Sequence, residues 1–136
     1  MAALVIVTED EAFASAVQAL ASDELALSCV HVEEAVAIVR RDRPDILAVD
    51  TDSVRESHAL IGALSLLTPA RVVALAHQAW PGSRASAEWR KAGADTVLAK
   101  PSGRASPTLT GFDKDAYARW LIALADRSPR GAGKPS

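Results

Sequence analysis

Apolar positions along the chain fall into two alternating patterns. Short, nearly uninterrupted apolar runs occur at residues 3–7 (ALVIV), 45–50 (DILAVD), 71–76 (RVVALA) and 95–99 (DTVLA), with a weaker one at 25–30 (LALSCV). The first of these, continuously apolar and β-branched, predicts a strand buried on both faces, and the others predict further strands. Between them the apolar residues take helical spacing. Phe13, Val17 and Leu20 share one stripe, and Val36 and Val39 point inward from a helix over 32–41 whose Arg40 and Arg41 suit its negative end. Arg43-Pro44 stops that helix, and Thr68-Pro69 stops the next, over 57–67. A short helix over 83–92 ends at Gly93. A last helix is expected over 113–126, with Phe112, Ala116, Trp120 and Leu124 on one face.

Five strands alternating with five helices imply parallel crossovers. The expected fold is α/β, an open five-stranded parallel doubly wound sheet with five helices. Residues 1–126 form the domain, and the polar stretch 127–136 is expected to be a disordered tail. Sheets of this kind carry their sites beyond the carboxyl ends of the strands. Those ends hold Thr8-Glu9-Asp10-Glu11, Asp50-Thr51-Asp52, Ala76-His77 and Lys100-Pro101. The first glycine in the chain is Gly62, so no glycine-rich phosphate loop follows the first strand. A cluster of acids with one lysine instead suits a hard cation beside an oxyanion.

Composition narrows the classes further. Alanine accounts for 28 of the 136 residues and aromatics for only 4%, so Val, Leu and Ile must build the core. Fifteen basic against seventeen acidic residues leave a net charge of −2, which argues against a phosphate-dominated nucleic-acid surface. A single cysteine, Cys29, builds neither an internal disulfide nor a thiolate metal site, and is read as a small core residue. No apolar run approaches a membrane span. A cytoplasmic location is expected, with no nucleic-acid or membrane partner.

The pattern LVIV followed by acids, then PDILAVD, then KAGADTVLAKP resembles the receiver domain of bacterial two-component response regulators over about residues 3–126. The resemblance implies a flavodoxin-like sheet with strand order 2-1-3-4-5. In that family the first strand ends in two acids that bind Mg²⁺, and the acid ending the third accepts a phosphoryl group from a histidine kinase. A hydroxyl residue ends the fourth strand, and a Lys-Pro pair ends the fifth. Asp50 then resembles the phosphoacceptor and Lys100 the lysine paired with the phosphoryl group. Asp52 would offer its backbone carbonyl to the metal. The acid pair has two registers, Thr8/Glu9 or Glu9/Asp10. Phe13 and Leu20 lie at the family's core spacings when Glu9 is the second acid, which makes Thr8 the position of a lost first acid. The expected metal ligands are therefore Glu9, Asp50 and the Asp52 backbone, with Asp10 in the other register.

Other positions depart from the family pattern. Ala76 stands where the hydroxyl belongs, with no substitute expected from Ser83 or Ser86, and Val97 replaces the reporting aromatic. These departures imply a degenerate, stand-alone receiver: a signalling module rather than an enzyme, with weak Mg²⁺ binding and weak or lost phosphorylation at Asp50. Its partner would be a histidine kinase or other signalling protein, or a second copy of the chain, on the face formed by the fourth helix, fifth strand and fifth helix. Two alternatives remain open: a fully functional Mg²⁺-dependent receiver, and a separated receiver segment of a chemotaxis-methylesterase-like regulator. The resemblance also implies a cis Lys100–Pro101 peptide. Trp80 and Trp89 flank the fourth helix, either as core cover or as partner contacts. His31, His58 and His77 lack ligand spacing and read as surface or satisfied residues.

Overall fold

The computed structural model describes residues 2–19, 25–76, 83–99 and Leu124. Its elements run β1 (Ala2–Val7), α1 (Glu11–Gln18), β2 (Leu25–Val30), α2 (Val32–Asp42), β3 (Ile46–Asp50), α3 (Ser57–Leu67), β4 (Arg71–Ala76), α4 (Arg84–Ala92) and β5 (Thr96–Ala99). The strands form one parallel sheet in the order β2-β1-β3-β4-β5. The doubly wound sheet expected from the alternating pattern is thus the one observed. Four helices fall among the described residues. Of the fifth, expected over 113–126, only Leu124 is described; it is helical and fully buried.

The uninterrupted apolar strands are explained by burial on both faces. Leu4, Ile6, Ile46, Ala48, Val73 and Leu75 pack with Phe13, Val17 and Leu124 on one side of the sheet. Val5, Val7, Leu47, Val49, Val72 and Ala74 pack with Ala35, Val39, Ile61 and Leu64 on the other. Alternate residues of each strand therefore feed two cores, as the pleat requires. One expected core position is corrected: Val36 is 37% exposed, while Val39 is buried as expected and Ala35 is buried with it. The stripe is set by the i, i+4 pair that faces β1 and β3, which leaves Val36 about a third of a turn away.

Two strands begin one residue later than their apolar pattern predicts, for a common reason. Asp45 and Asp95 stop short of the ladder, and each carboxylate accepts a neighbouring strand's N–H. Asp45 takes that of Ala3 (2.9 Å) and Asp95 that of Val72 (2.9 Å). Both acids act at the amino edge of the sheet, opposite the candidate site.

Candidate functional site

The strand order reverses between β1 and β3, the point at which sheets of this kind place their sites. Val7 pairs with Val49, which brings Thr8 beside Asp50. Asp50 has no solvent exposure and Thr8 only 3%. The Thr8 hydroxyl donates to Asp50 Oδ2 at 2.8 Å. The chain after β3 turns back over its own strand end, with the N–H of Ser53 and of Val54 both donating to the Asp50 carbonyl. That turn carries the Ser53 hydroxyl to the same Oδ2, at 2.9 Å, while the Asp52 N–H donates to Oδ1 at 3.2 Å.

Of the expected ligands, Asp52 meets Asp50 through its N–H, a donor rather than a cation ligand, and the two acids after β1 are engaged at helix starts. Glu9 Oε2 accepts the Val32 N–H at 2.7 Å and Oε1 lies 3.1 Å from His31 Nδ1. Its carboxylate thus serves the first free N–H of α2, a favoured place for negative charge. Asp10 is the N-cap of α1, accepting from the Phe13 N–H at 3.0 Å. Lys100, Pro101 and the cis peptide expected between them lie outside the described residues, as do His77, Trp80 and residues 127–136. Ala76 ends β4 with no hydroxyl, and Ser83 caps α4 by accepting from the Ser86 N–H. Sequence reasoning missed Ser53. Its only signal was a hydroxyl three residues past a strand-end acid, the spacing at which a turn returns the side chain to that acid.

Glu9 and His31 shift each other. The Val32 N–H holds the Glu9 carboxyl below its ordinary value; burial opposes it, and the His31 ring adds to the lowering. The hydrogen bond and charge of Glu9 raise His31, with Glu11 and Glu34 adding to it. A lowered carboxyl adds stability above its unfolded pKa and loses it as pH falls through the folded one; a raised histidine does the reverse. Both contributions are therefore complete only between about pH 4.3 and 6.5. Glu9→Gln is expected to lower the His31 pKa, read by NMR titration of the ring protons. An unchanged titration would show that the pair does not form in solution.

The remaining singled-out residues have structural roles. The Trp89 ring stacks on His58 with centroids 4.1 Å apart and joins the core on the α2–α3 side of the sheet. Cys29 packs against the other core, where burial pushes its thiol up to about 11. Arg41 pairs with Asp42 at the exposed end of α2.

Mg²⁺ takes carboxylates and waters in an octahedron. Here the Asp50 Oδ2 already faces two hydroxyl protons, and Glu9 and Asp10 are engaged at helix starts. Among the described residues no group of three or more His, Cys, Asp or Glu is placed to hold a metal ion. The donor set does not fit a dedicated divalent-cation site.

No protein-family model matches the sequence, and no curated protein matches it. Solved structures do. The response regulator domain of Thermotoga maritima CheB covers 95% of this chain with 99% of its own, at TM-score 0.65 and 13% identity. A Burkholderia pseudomallei response regulator, solved with a phosphorylated aspartic acid, a calcium ion and citrate, covers 93% with 76% of its own, at TM-score 0.62 and 24% identity. The complex of the CheA3 P1 domain with CheY6 from R. sphaeroides contains a chain that covers 90% with 95% of its own, at TM-score 0.60 and 25% identity. With the sheet order above, these likenesses show that the chain has the fold of response-regulator receiver domains.

Proposed function

We propose that the protein is a receiver-fold module of two-component signalling that acts through protein–protein contacts, with phosphorylation of Asp50 weak or lost. One observation carries this reading: Asp50, which resembles the phosphoacceptor, is wholly buried, and its Oδ2 accepts two hydroxyl protons. A nucleophilic oxygen must have a lone pair directed at the incoming phosphorus, and in-line transfer also relies on positive charge to neutralise the phosphoryl oxygens. Hydrogen bonds to Oδ2 weaken the first, and the diversion of Glu9 removes an expected partner for the second. Mg²⁺ binding is accordingly of millimolar affinity or poorer.

The partner in this reading is a histidine kinase or another signalling protein on the face of α4, β5 and the segment after it, where a second copy of the chain would also fit. The CheY6 neighbour was solved with the P1 domain of CheA3, which supports a kinase-type partner. The module is not an enzyme and works in the cytoplasm; no helix among the described residues is long and apolar enough to cross a membrane. A fully functional receiver is the second reading, favoured by Asp50 and Lys100-Pro101 standing fifty residues apart in the family order. Incubation with a small acyl phosphate and Mg²⁺, read by intact mass, separates the two. The expected result is no stoichiometric phosphoryl adduct on the wild type. A full adduct that disappears in Asp50→Asn would establish the second reading instead.

A further inference from the structure

The hydrogen bonds around Asp50 form two matching relays. The Asp10 N–H donates to Thr8 Oγ1 at 3.1 Å, and the Thr8 hydroxyl donates onward to Asp50 Oδ2. The Glu9 N–H donates to Ser53 Oγ at 2.9 Å, and the Ser53 hydroxyl donates onward to the same Oδ2. Each hydroxyl has one proton to give. With both protons committed to the carboxylate, the 3.2 Å approach of Thr8 Oγ1 to Ser53 Oγ is a close packing contact. An amide donating to a hydroxyl that donates to a carboxylate polarises each bond in the same sense, so the members of each relay strengthen one another.

We infer that Thr8 and Ser53 form a hydroxyl clamp that takes the place of a divalent cation, holding the β1–α1 and β3–α3 loops together independently of Mg²⁺. Two features support the substitution. First, the clamp joins the two loops whose carboxyl groups a cation would otherwise bridge: Thr8, Glu9 and Asp10 on one side, Asp50 and Ser53 on the other. Second, it leaves a cation no easy entry. An ion approaching Oδ2 from this side meets two protons. Turning either side chain away would also strip the Asp10 or the Glu9 amide of its acceptor, so one hydrogen bond of that relay is lost with it. The clamp therefore resists exchange for an ion at both ends of each relay. It deepens the functional reading above, since it describes what sets the conformation of the same carboxylate.

The test is thermal unfolding of the full chain in chelator, in millimolar MgCl₂ and in NaCl of matched ionic strength. Wild type is expected to melt at one temperature in MgCl₂ and in matched NaCl. Thr8→Val keeps the shape and removes the proton, and is expected to lower the melting temperature by roughly 4 °C or more. Thr8→Ser, which restores a hydroxyl, is expected to recover most of that loss. Ser53→Ala, at the half-buried end of the clamp, should show a smaller loss of the same kind and stands in if Thr8→Val does not fold. A melting temperature of wild type that rises specifically with Mg²⁺ would overturn the inference. So would Thr8→Val or Ser53→Ala melting like wild type. The two proposals fail separately. A phosphoryl adduct in the mass experiment with Mg²⁺-indifferent melting would sink the functional reading and keep the clamp; Mg²⁺-dependent melting without an adduct would do the opposite.

Discussion

Thr8→Asp is expected to make the stability of the protein depend strongly on Mg²⁺. The new carboxylate would stand where a hydroxyl now lies 2.8 Å from Asp50 Oδ2, at a position only 3% exposed. Two like charges about 4 Å apart repel by roughly 4 kcal/mol at an effective dielectric constant near 20. Without a cation the variant should unfold at a markedly lower temperature than wild type, or hold a proton between the two acids. Mg²⁺ reverses the sign of the interaction, because two adjacent carboxylates with water are the ligand set it favours. The expected gain in affinity is at least about tenfold, roughly 1.4 kcal/mol. Stabilisation should then grow with the logarithm of the Mg²⁺ concentration above the dissociation constant. Calorimetric titration of both proteins in identical salt measures the affinity, and melting curves measure the linkage. If wild type already binds Mg²⁺ as tightly as Thr8→Asp, Glu9 and Asp10 are the acid pair and the Thr8/Glu9 register is wrong. A working site in the variant would also raise its phosphorylation by the acyl phosphate used on the wild type.

The contrast between Thr8 and Glu9 shows what the sequence could and could not reveal. The short Val, Leu and Ile runs announced strands, the first of them buried on both faces, and their alternation with helical spacing announced a parallel sheet. Once the sheet order follows, Asp50 must end its central strand at the point where the order reverses. All of this depends on local pattern and on a topology with few alternatives. The destination of the Glu9 carboxylate depends on neither. Glu9 sits next to Thr8 in the chain, yet its charge is claimed by the open N-terminus of α2, more than twenty residues on. That competition between a helix start and a cation site is settled by three-dimensional distance, which an acid-rich stretch does not encode.

Ser53 was illegible for a related reason. The stretch TDSVRES offers Thr51, Ser53 and Ser57, and their hydroxyls go three separate ways. Thr51 donates to the Leu75 carbonyl of β4, Ser57 to the Val54 carbonyl at the start of α3, and Ser53 to Asp50. Only the tightness of the turn after β3 decides among them. Val36 illustrates the same limit on a helix: the period marked a stripe, but the position of β1 and β3 beneath α2 selected Ala35 and Val39 as its buried pair.

Gly93→Val is expected to be the most damaging single change along the α3–α4 seam. Gly93 closes α4 with φ 133°, a conformation that residues with a Cβ rarely adopt. Its N–H bonds the Arg90 carbonyl and the Ala94 N–H bonds that of Trp89, the paired closure of a Schellman motif. A Cβ at this position would also lie 2.9 Å from Ser65 Oγ and 3.3 Å from Ser65 Cβ. The hydroxyl cannot simply swing aside without loss, because it donates to the Gly62 carbonyl at 2.8 Å. Backbone strain of about 1–3 kcal/mol and overpacking of a further 1–3 kcal/mol act together. A sum of roughly 2–6 kcal/mol is a large share of the 5–15 kcal/mol that holds a typical domain. Gly62→Ala should be far milder: its added Cβ would meet only the Ala92 carbonyl oxygen, at 3.3 Å, and the better helix propensity of alanine offsets that contact by up to about 1 kcal/mol. Denaturant titration of the two variants gives the comparison, with the midpoint falling sharply for Gly93→Val while the slope stays near that of wild type. The stack of Trp89 on His58 bridges the same two helices, so tryptophan fluorescence should report the seam opening before global unfolding. A Gly93→Val protein within about 1 kcal/mol of wild type would mean that the end of α4 is free to rebuild its turn. The path of the chain into β5, and on toward Lys100, would then not be fixed by this glycine.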